Sequence, residues 1–488
     1  MLTRLLVKGF KNLVDTEVAF GPFTCIAGAN GVGKSNLFDA IMFLRDLTEY
    51  TIVEAAARVR DPLNKTGDLR AIFHQTTLSE LPHVYFEVDF VVPKSVLDDF
   101  GRKAEASITF LRYTLELKYV PHQNSGSNIP ESPERIELLR EELTYIQKSQ
   151  ARRVLGFKSS PPFRAGVIHG ERRSPFISTE NNNGVAEISL HQDGGSRGQP
   201  FKVLAASSPR TILGGTNTNA HPTVLAARRE MQSWMLLQLE PSALRQPDTF
   251  AAESKVGPNG AHLPATLLRL NAAESVTNRL AELIPEVKTV AVDKDEARRL
   301  NTLTMTQRNG ATHPARALSD GTLRFLALSI INADPDAGRL ICLEEPENGI
   351  HPSRIPVILE LLQEIAVDPE SSVGQEDFDN PFRQVIINTH SPSVVSSLPA
   401  DSLVLASTLK QAGVATTEFC CVEGTWRAKR EGVENIRSMQ TIPQAALLSY
   451  LTEYPVAANH NVQKLSSPGQ RPTVRQQAEQ FGLFDSLK

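Results

Sequence analysis

The sequence predicts an α/β protein: a mostly parallel sheet flanked by helices, an antiparallel β subdomain, and an inserted α/β region. Three observations carry this expectation. The apolar run Phe23-Thr24-Cys25-Ile26-Ala27 leads into GANGVGKS at residues 28–35, and apolar residues at helical spacing follow from Asn36 to Leu44. Residues 316–405 alternate helical patterning with apolar strands. Residues 83–92 and 106–120 are rich in β-formers and read as neighbouring antiparallel strands.

The 488 residues suffice for two or three domains. A net charge of −4 gives no global nucleic-acid signature, so any such contact must come from a local patch. The four cysteines lack CxxC spacing, and Cys25 and Cys342 lie in apolar runs, which suits a reducing, cytoplasmic setting. No apolar run reaches 18 residues and no signal-peptide pattern is present, so no membrane association is expected.

In chain order, strands are expected at residues 5–10 and 14–20, then the strand that feeds GANGVGKS. After the two β-rich stretches comes a polar loop at 121–133. Residues 134–153 are expected to form a charged helix with Ile136, Leu139, Leu143 and Ile146 on one stripe. Residues 158–215 are loop-rich, while 223–238 and 261–282 carry helical patterning. A short helix is expected near 474–484. The division expected is 1–90, an insertion at 91–260, 261–425, and a helical tail at 426–488.

GANGVGKS has the form G-x-x-x-x-G-K-[ST] in its required strand–loop–helix context. Gly28, Gly31 and Gly33 let backbone N–H groups turn toward phosphate oxygens, where a Cβ would obstruct them. Lys34 is placed to reach the β- and γ-phosphates, and the Ser35 hydroxyl to hold Mg²⁺. A bound nucleoside triphosphate follows. The apolar strand ending at Glu344 and Glu345 brings two carboxylates near it. Glu344 is expected in the Mg²⁺ shell and Glu345 at the attacking water. Ser319 and Gly321, in ALSDGT before a helix, make a candidate anion site. A third apolar strand, 385–389, ends at His390.

Together these segments resemble the RecF/SMC/OLD branch of ABC-type ATPases, most closely stand-alone bacterial RecF-like ATPases. The resemblance rests on LVKGFKNL, GANGVGKSN, LSDGT, EEPENGIHP and NTHSP, in that order, over about residues 1–90 and 260–410. It implies an ABC-type ATPase head using ATP and Mg²⁺. Asn30 and Asn36 then join the phosphate loop, Ser319 and Gly321 form the counterpart of LSGGQ, and His390 is the switch histidine at the γ-phosphate. Gln75 falls where the family's Q-loop glutamine, a metal-shell residue, would lie. LSDGT departs from LSGGQ by the acidic Asp320, and Glu344 stands where Asp is usual. His351 is open to two roles, partner contact or helix cap.

The resemblance further implies a head-to-tail homodimer, with Ser319 and Gly321 acting in trans, and slow hydrolysis by a lone chain. Relatives of this type often work in bacterial antiphage defence beside a nuclease encoded by another gene, so a separate nuclease or toxin effector is the expected partner. A RecF-like repair ATPase and an ATP-dependent scaffold that sequesters a toxin are the alternatives. Direct DNA contact is expected, if anywhere, through the basic segment 148–173, against an ordinary solvated face. Residues 421–424 (CVEG) resemble the opening of a TOPRIM nuclease, but no DxD follows, so no nuclease centre is expected.

Overall fold

The computed structural model describes residues 1–59, 68–74, 82–122, 134–194, 200–373, 380–411, 414–430, 439–443, 473–474 and 476. Its centre is a seven-stranded sheet. The strand order is Trp234–Leu237, Leu340–Glu344, Gln384–Thr389, Phe23–Ala27, Leu403–Gln411, Val414–Val422 and Gln440–Ile442. The first five run parallel to their neighbours, and Val414–Val422 turns back antiparallel to Leu403–Gln411. Each parallel pairing needs a crossover, which brings residues from both ends of the chain to one sheet edge.

The strands of this sheet are apolar throughout because both faces are covered. Cys25, Ile341, Leu343 and Ile387 pack with the helices Asp320–Ala333 and Ile355–Ile365. Their alternates Ile26, Cys342 and Ile386 pack with the helix Lys34–Asp46 and a second sheet. That second sheet is antiparallel and eight-stranded: Phe201–Leu204, Val185–Leu190, Ile177–Asn182, Arg135–Tyr145, Phe110–Val120, His83–Val91, Leu2–Phe10 and Leu13–Ala19. Phe43 of the helix Lys34–Asp46 stacks against Phe10 and Phe86 of this sheet, with centroids 5.9 and 5.8 Å apart. The helix after the phosphate loop is therefore held between two sheets.

Two expectations are corrected. Residues 134–153 are not one helix: Arg135–Tyr145 is a strand paired with Phe110–Val120, and only Lys148–Leu155 is helical. Buried Ile136, Leu138, Glu141 and Leu143 form its inner face, while Leu139 lies off it. The Glu, Leu and Arg of this segment favour a helix, but a waiting sheet edge and the apolar face beneath it override that weak preference. Glu141 is fully buried, which pushes its carboxyl up to about 7. It accepts the backbone N–H groups of Ile212 (2.6 Å) and Leu213 (2.8 Å).

The second correction bears on the site. The helix expected over 223–238 ends at Gln232, and Trp234–Leu237 is instead the edge strand of the central sheet, parallel to Leu340–Glu344. The helical stretch 261–282 is two helices, Leu263–Leu270 and Ala273–Leu283, broken at Asn271, whose φ is +49°. The helix expected near 474–484 lies outside the described residues apart from 474 and 476, and most of the tail 426–488 lies outside them too.

Candidate nucleotide site

Strand Phe23–Ala27 ends at Gly28, whose N–H donates to the Thr389 carbonyl (3.2 Å) and ties the loop to the neighbouring strand. A Cβ on Gly28 would lie 2.5 Å from the Ala406 carbonyl oxygen, so only glycine lets the loop leave here. Gly31 and Gly33 have φ of +80° and +105°, and Gly33 caps the helix Lys34–Asp46. A Cβ on Gly33 would strike Thr417 and Asn12. Asn36 Nδ2 donates to Asn12 Oδ1 at 2.6 Å, fixing the first helical turn to the chain's opening hairpin.

Lys34 Nζ donates to the carbonyls of Gly28 (2.7 Å) and Ala29 (2.8 Å). Burial lowers its pKa, against the raising fields of Glu345, Glu347 and Glu344. A cavity of about 580 Å³ opens over the loop, lined by Asn30, Lys34, Ser35, Glu344, Glu345 and Asn388, among others. An ammonium, a hydroxyl and a carboxylate around a glycine-built cradle are the donor set that a triphosphate with Mg²⁺ requires. The residues fit that pair.

The two carboxylates part company at the strand end. Glu344 is still in the strand, in register with Asn388, whose Nδ2 donates to Glu344 Oε1 at 3.3 Å. Glu345 steps into left-handed backbone at φ +45°, its N–H donating to the carbonyl (3.0 Å) and Oδ1 (3.1 Å) of Asn388. That turn leaves Glu345 Oε1 2.8 Å from His390 Nδ1, and Glu345 Oε2 2.7 Å from Asn348 Nδ2. Burial pushes the Glu345 carboxyl up, but these hydrogen bonds and the charges of His390 and Lys34 outweigh it and hold the group below the usual carboxylate range. Such a group is a ready acceptor at neutral pH.

Behind them, Glu347 is buried, accepts the Thr389 hydroxyl, and leaves Oε2 without a hydrogen-bond partner. Burial raises its pKa.

Ser319 caps the helix Asp320–Ala333, its Oγ accepting the Thr322 N–H at 3.2 Å. The residue is exposed. Asp320, the departure from LSGGQ, is paired with Arg245 Nη2, which also donates to the Leu318 carbonyl at 3.1 Å. The acidic substitution therefore arrives with its own counter-ion. Gly321 faces the Gly349 carbonyl, where a Cβ would sit 3.4 Å from it, so this helix end abuts the segment after the carboxylates. Neither Ser319 nor Gly321 lines the cavity over the phosphate loop of its own chain. His351 caps the short turn Pro352–Arg354, accepting the Ser353 N–H at 3.3 Å.

Gln75 lies outside the described residues. Gln238, which the sequence reading passed over, follows the edge strand and lines a space shared with Ser35 and Glu344. Its only available signal was LLQLEP, an apolar run hidden inside a helical pattern. Periodicity also gives no sign of Asn388, Glu347, Asn348 and Asn12: Asn388 is a polar residue inside an apolar strand, and the other three lie in turns.

The fold and site define an ATPase head of the ABC type. The chain matches, over residues 23–109 and 252–396, the family described as "AAA domain, putative AbiEii toxin, Type IV TA system". It is 47% identical over 45 residues to the DNA replication and repair protein RecF of Parabacteroides distasonis, a match covering 9% of this chain and 12% of that protein. Among solved structures it overlaps an SMC head bound to the C-terminal winged-helix domain of ScpA (13% identity, TM-score 0.44, 86% of this chain and 98% of that one). It also overlaps the SMC head domain from Thermotoga maritima (13% identity, TM-score 0.38, 85% and 97%). These overlaps are loose. The family match spans just under half of the chain, and with the motif order and site geometry it makes the chain similar to the RecF/SMC-like branch of ABC-type ATPases. Among the described residues, no helix is long and apolar enough to cross a membrane.

Proposed function

We propose that the chain binds ATP with Mg²⁺ in the cavity over Gly28–Ser35 and hydrolyses it as a nucleotide-gated, head-to-tail homodimer. The observation that carries this reading is Glu345, held ionised by His390 and Asn348 beside Lys34. Gly28, Asn30, Gly31, Gly33 and Asn36 shape the cradle, and Lys34 leaves its two carbonyls to reach the β/γ-phosphates. Ser35 and Glu344 would hold Mg²⁺, which neutralises phosphate charge when bound. Gln238 is the described candidate for the metal shell, and Gln75 stands as the sequence-based one. Glu345 orients the attacking water and accepts its proton, while His390 fixes the carboxylate. Exposed Ser319 and half-buried Gly321, neither of which lines the cavity of its own chain, supply the N–H groups of a helix end to the partner copy's γ-phosphate.

The head would comprise 1–90 and 261–425, with 91–260 as the output region and the remainder a tail. In this reading nucleotide-driven closure controls a nucleic-acid-linked effector, a separately encoded nuclease in antiphage defence, in a cytoplasmic setting. The RecF match favours DNA repair as the second reading, and the toxin in the family's description keeps the scaffold alternative in play.

Glu345→Gln tests the core of this. Turnover should fall about 10²- to 10⁴-fold, while ATP shifts the variant to a dimer in sedimentation and EDTA reverses it. A variant that turns over normally, or stays monomeric with ATP, overturns the reading.

A further inference from the structure

The basic segment 148–173 is not one stripe. Arg172 is spent on the carbonyls of Ser174 (2.8 Å), Gln192 (2.8 Å) and Asp193 (3.0 Å) and lies over the Phe176 ring. Arg152, Lys158 and Arg164 instead converge on a single cavity of about 490 Å³ and meet there Lys429, more than 250 residues on in the chain. Ser159, Gly424 and Trp426 complete much of the wall. Among the described residues Asp401 is the one carboxylate in the lining, and its Oδ1 accepts the Trp426 N–H at 3.3 Å. Lys158 is paired with Glu370 at 2.5 Å. Among the described residues no carboxylate pairs with Arg152, Arg164 or Lys429.

The cavity lies far from the phosphate loop. Asp401 precedes the strand Leu403–Gln411, which runs parallel to Phe23–Ala27 with Leu403 opposite Cys25 and Leu405 opposite Ala27. The phosphate loop leaves past Ala27, whereas Asp401 and the turn after Val422 lie at the other end. The wall is also anchored. Fully buried Arg427 donates to the Ala19 carbonyl (2.8 Å), to the Asp401 carbonyl, and through Nη2 to Thr24 Oγ1 (3.0 Å) on the loop-bearing strand.

We propose that this cavity is a second anion site, taking a compact phosphate-bearing ligand. With Lys158 paired to Glu370, Arg152, Arg164 and Lys429 still bring three like charges together from two distant segments against the single carboxylate Asp401, so a bound anion would relieve their mutual repulsion. The Arg152 guanidinium fork matches phosphate oxygens, while Arg164 Nη1 donates to the Ser159 carbonyl and to Ser159 Oγ (3.2 Å), which holds the rest of that guanidinium and the Ser159 hydroxyl in the wall as further donors. The size suits a few phosphates and not the face of a duplex. Two sources share that chemistry: a free polyphosphate such as a nucleotide's, and the 5′-phosphate of a nucleic-acid strand. The inference does not rest on the ATPase reading.

The test uses the full chain carrying Lys34→Ala, so that the phosphate loop does not compete. Trp426 in the wall is one of two tryptophans and the other, Trp234, is buried, so fluorescence reports on the cavity. Tripolyphosphate should change the emission saturably, and Arg152→Glu with Lys429→Glu should weaken its binding at least tenfold while leaving the melting temperature in place. Milder Arg152→Gln with Lys429→Gln variants, expected to weaken it less, guard against misfolding. If a 5′-phosphorylated oligonucleotide binds better than its 5′-hydroxyl twin, the source is a strand end. If only tripolyphosphate binds, the source is a free ligand. Absence of saturable binding, or affinity untouched by both variants, overturns the site. So does oligonucleotide binding that grows with length regardless of the 5′-phosphate.

Discussion

His390 Nδ1 sits 2.8 Å from Glu345 Oε1, joining the ends of two adjacent parallel strands into one acid–base unit. The contact exists because Glu345 takes left-handed backbone immediately after its strand, which turns its carboxylate toward the neighbouring strand. With Asn348 on its other oxygen, Glu345 is fixed at both ends.

Ionisation of Glu345 should set the acid limb of the ATPase profile. Its folded pKa is depressed, so the ionised form and whatever stability it brings persist above the unfolded value, and both are lost as pH falls through the lowered one. The limb should lie below the ordinary Glu value of about 4.3. In His390→Ala with Asn348→Ala, burial is opposed by the charge of Lys34 without these two partners, and the limb should move upward. Pre-steady-state turnover after pH jumps checks this; an unmoved limb would detach these residues from Glu345.

Asp320 and Arg245 should behave as a pair. Removing Arg245 leaves an uncompensated negative charge at the surface that the proposed dimer would set against the partner's phosphate, so Arg245→Ala should weaken ATP-driven dimerisation several-fold. Asp320→Asn should restore most of it in the double variant. A double-mutant cycle with additive effects would show that the pair does not act through charge.

Gly33→Ala should abolish nucleotide binding and cost stability. Its φ of +105° is strained for any L side chain, by about 1–3 kcal/mol, and the new Cβ meets Thr417 and Asn12. Fluorescent-ATP titration and thermal melting together read both effects. Gly310→Ala shares a positive φ but has open space around it, so it should cost stability without loss of binding.

Gln238→Ala should raise the Mg²⁺ concentration giving half-maximal turnover, with nucleotide binding in EDTA unchanged. Equal Mg²⁺ dependence in variant and parent would remove Gln238 from the metal shell and leave its cavity position structural.

The local chemistry was legible in the sequence. Gly28–Ser35 needs only its own glycines and flanking periodicity, and the strands ending at Glu344 and Thr389 announce themselves as apolar runs. Residues 135–145 were misread because helix propensity and β pairing conflict there, and only the neighbouring strand Phe110–Val120 resolves the conflict. Gln238 was lost for the same reason: Trp234–Leu237 becomes a strand only because Leu340–Glu344 offers it an edge.

By itself, then, the sequence determined the phosphate loop, the double carboxylate, the position of His390 and the alternating order of the head, since these are carried by contiguous residues. Tertiary structure decided what depends on distance across the fold. It aimed Glu345 at His390, gave Asp320 its counter-ion in Arg245, set Gln238 beside Ser35, and drew Lys429 toward Arg152 and Arg164. Contiguous motifs need only local backbone geometry, whereas these pairings are fixed by crossover connections that bring remote strand ends to one side of a sheet.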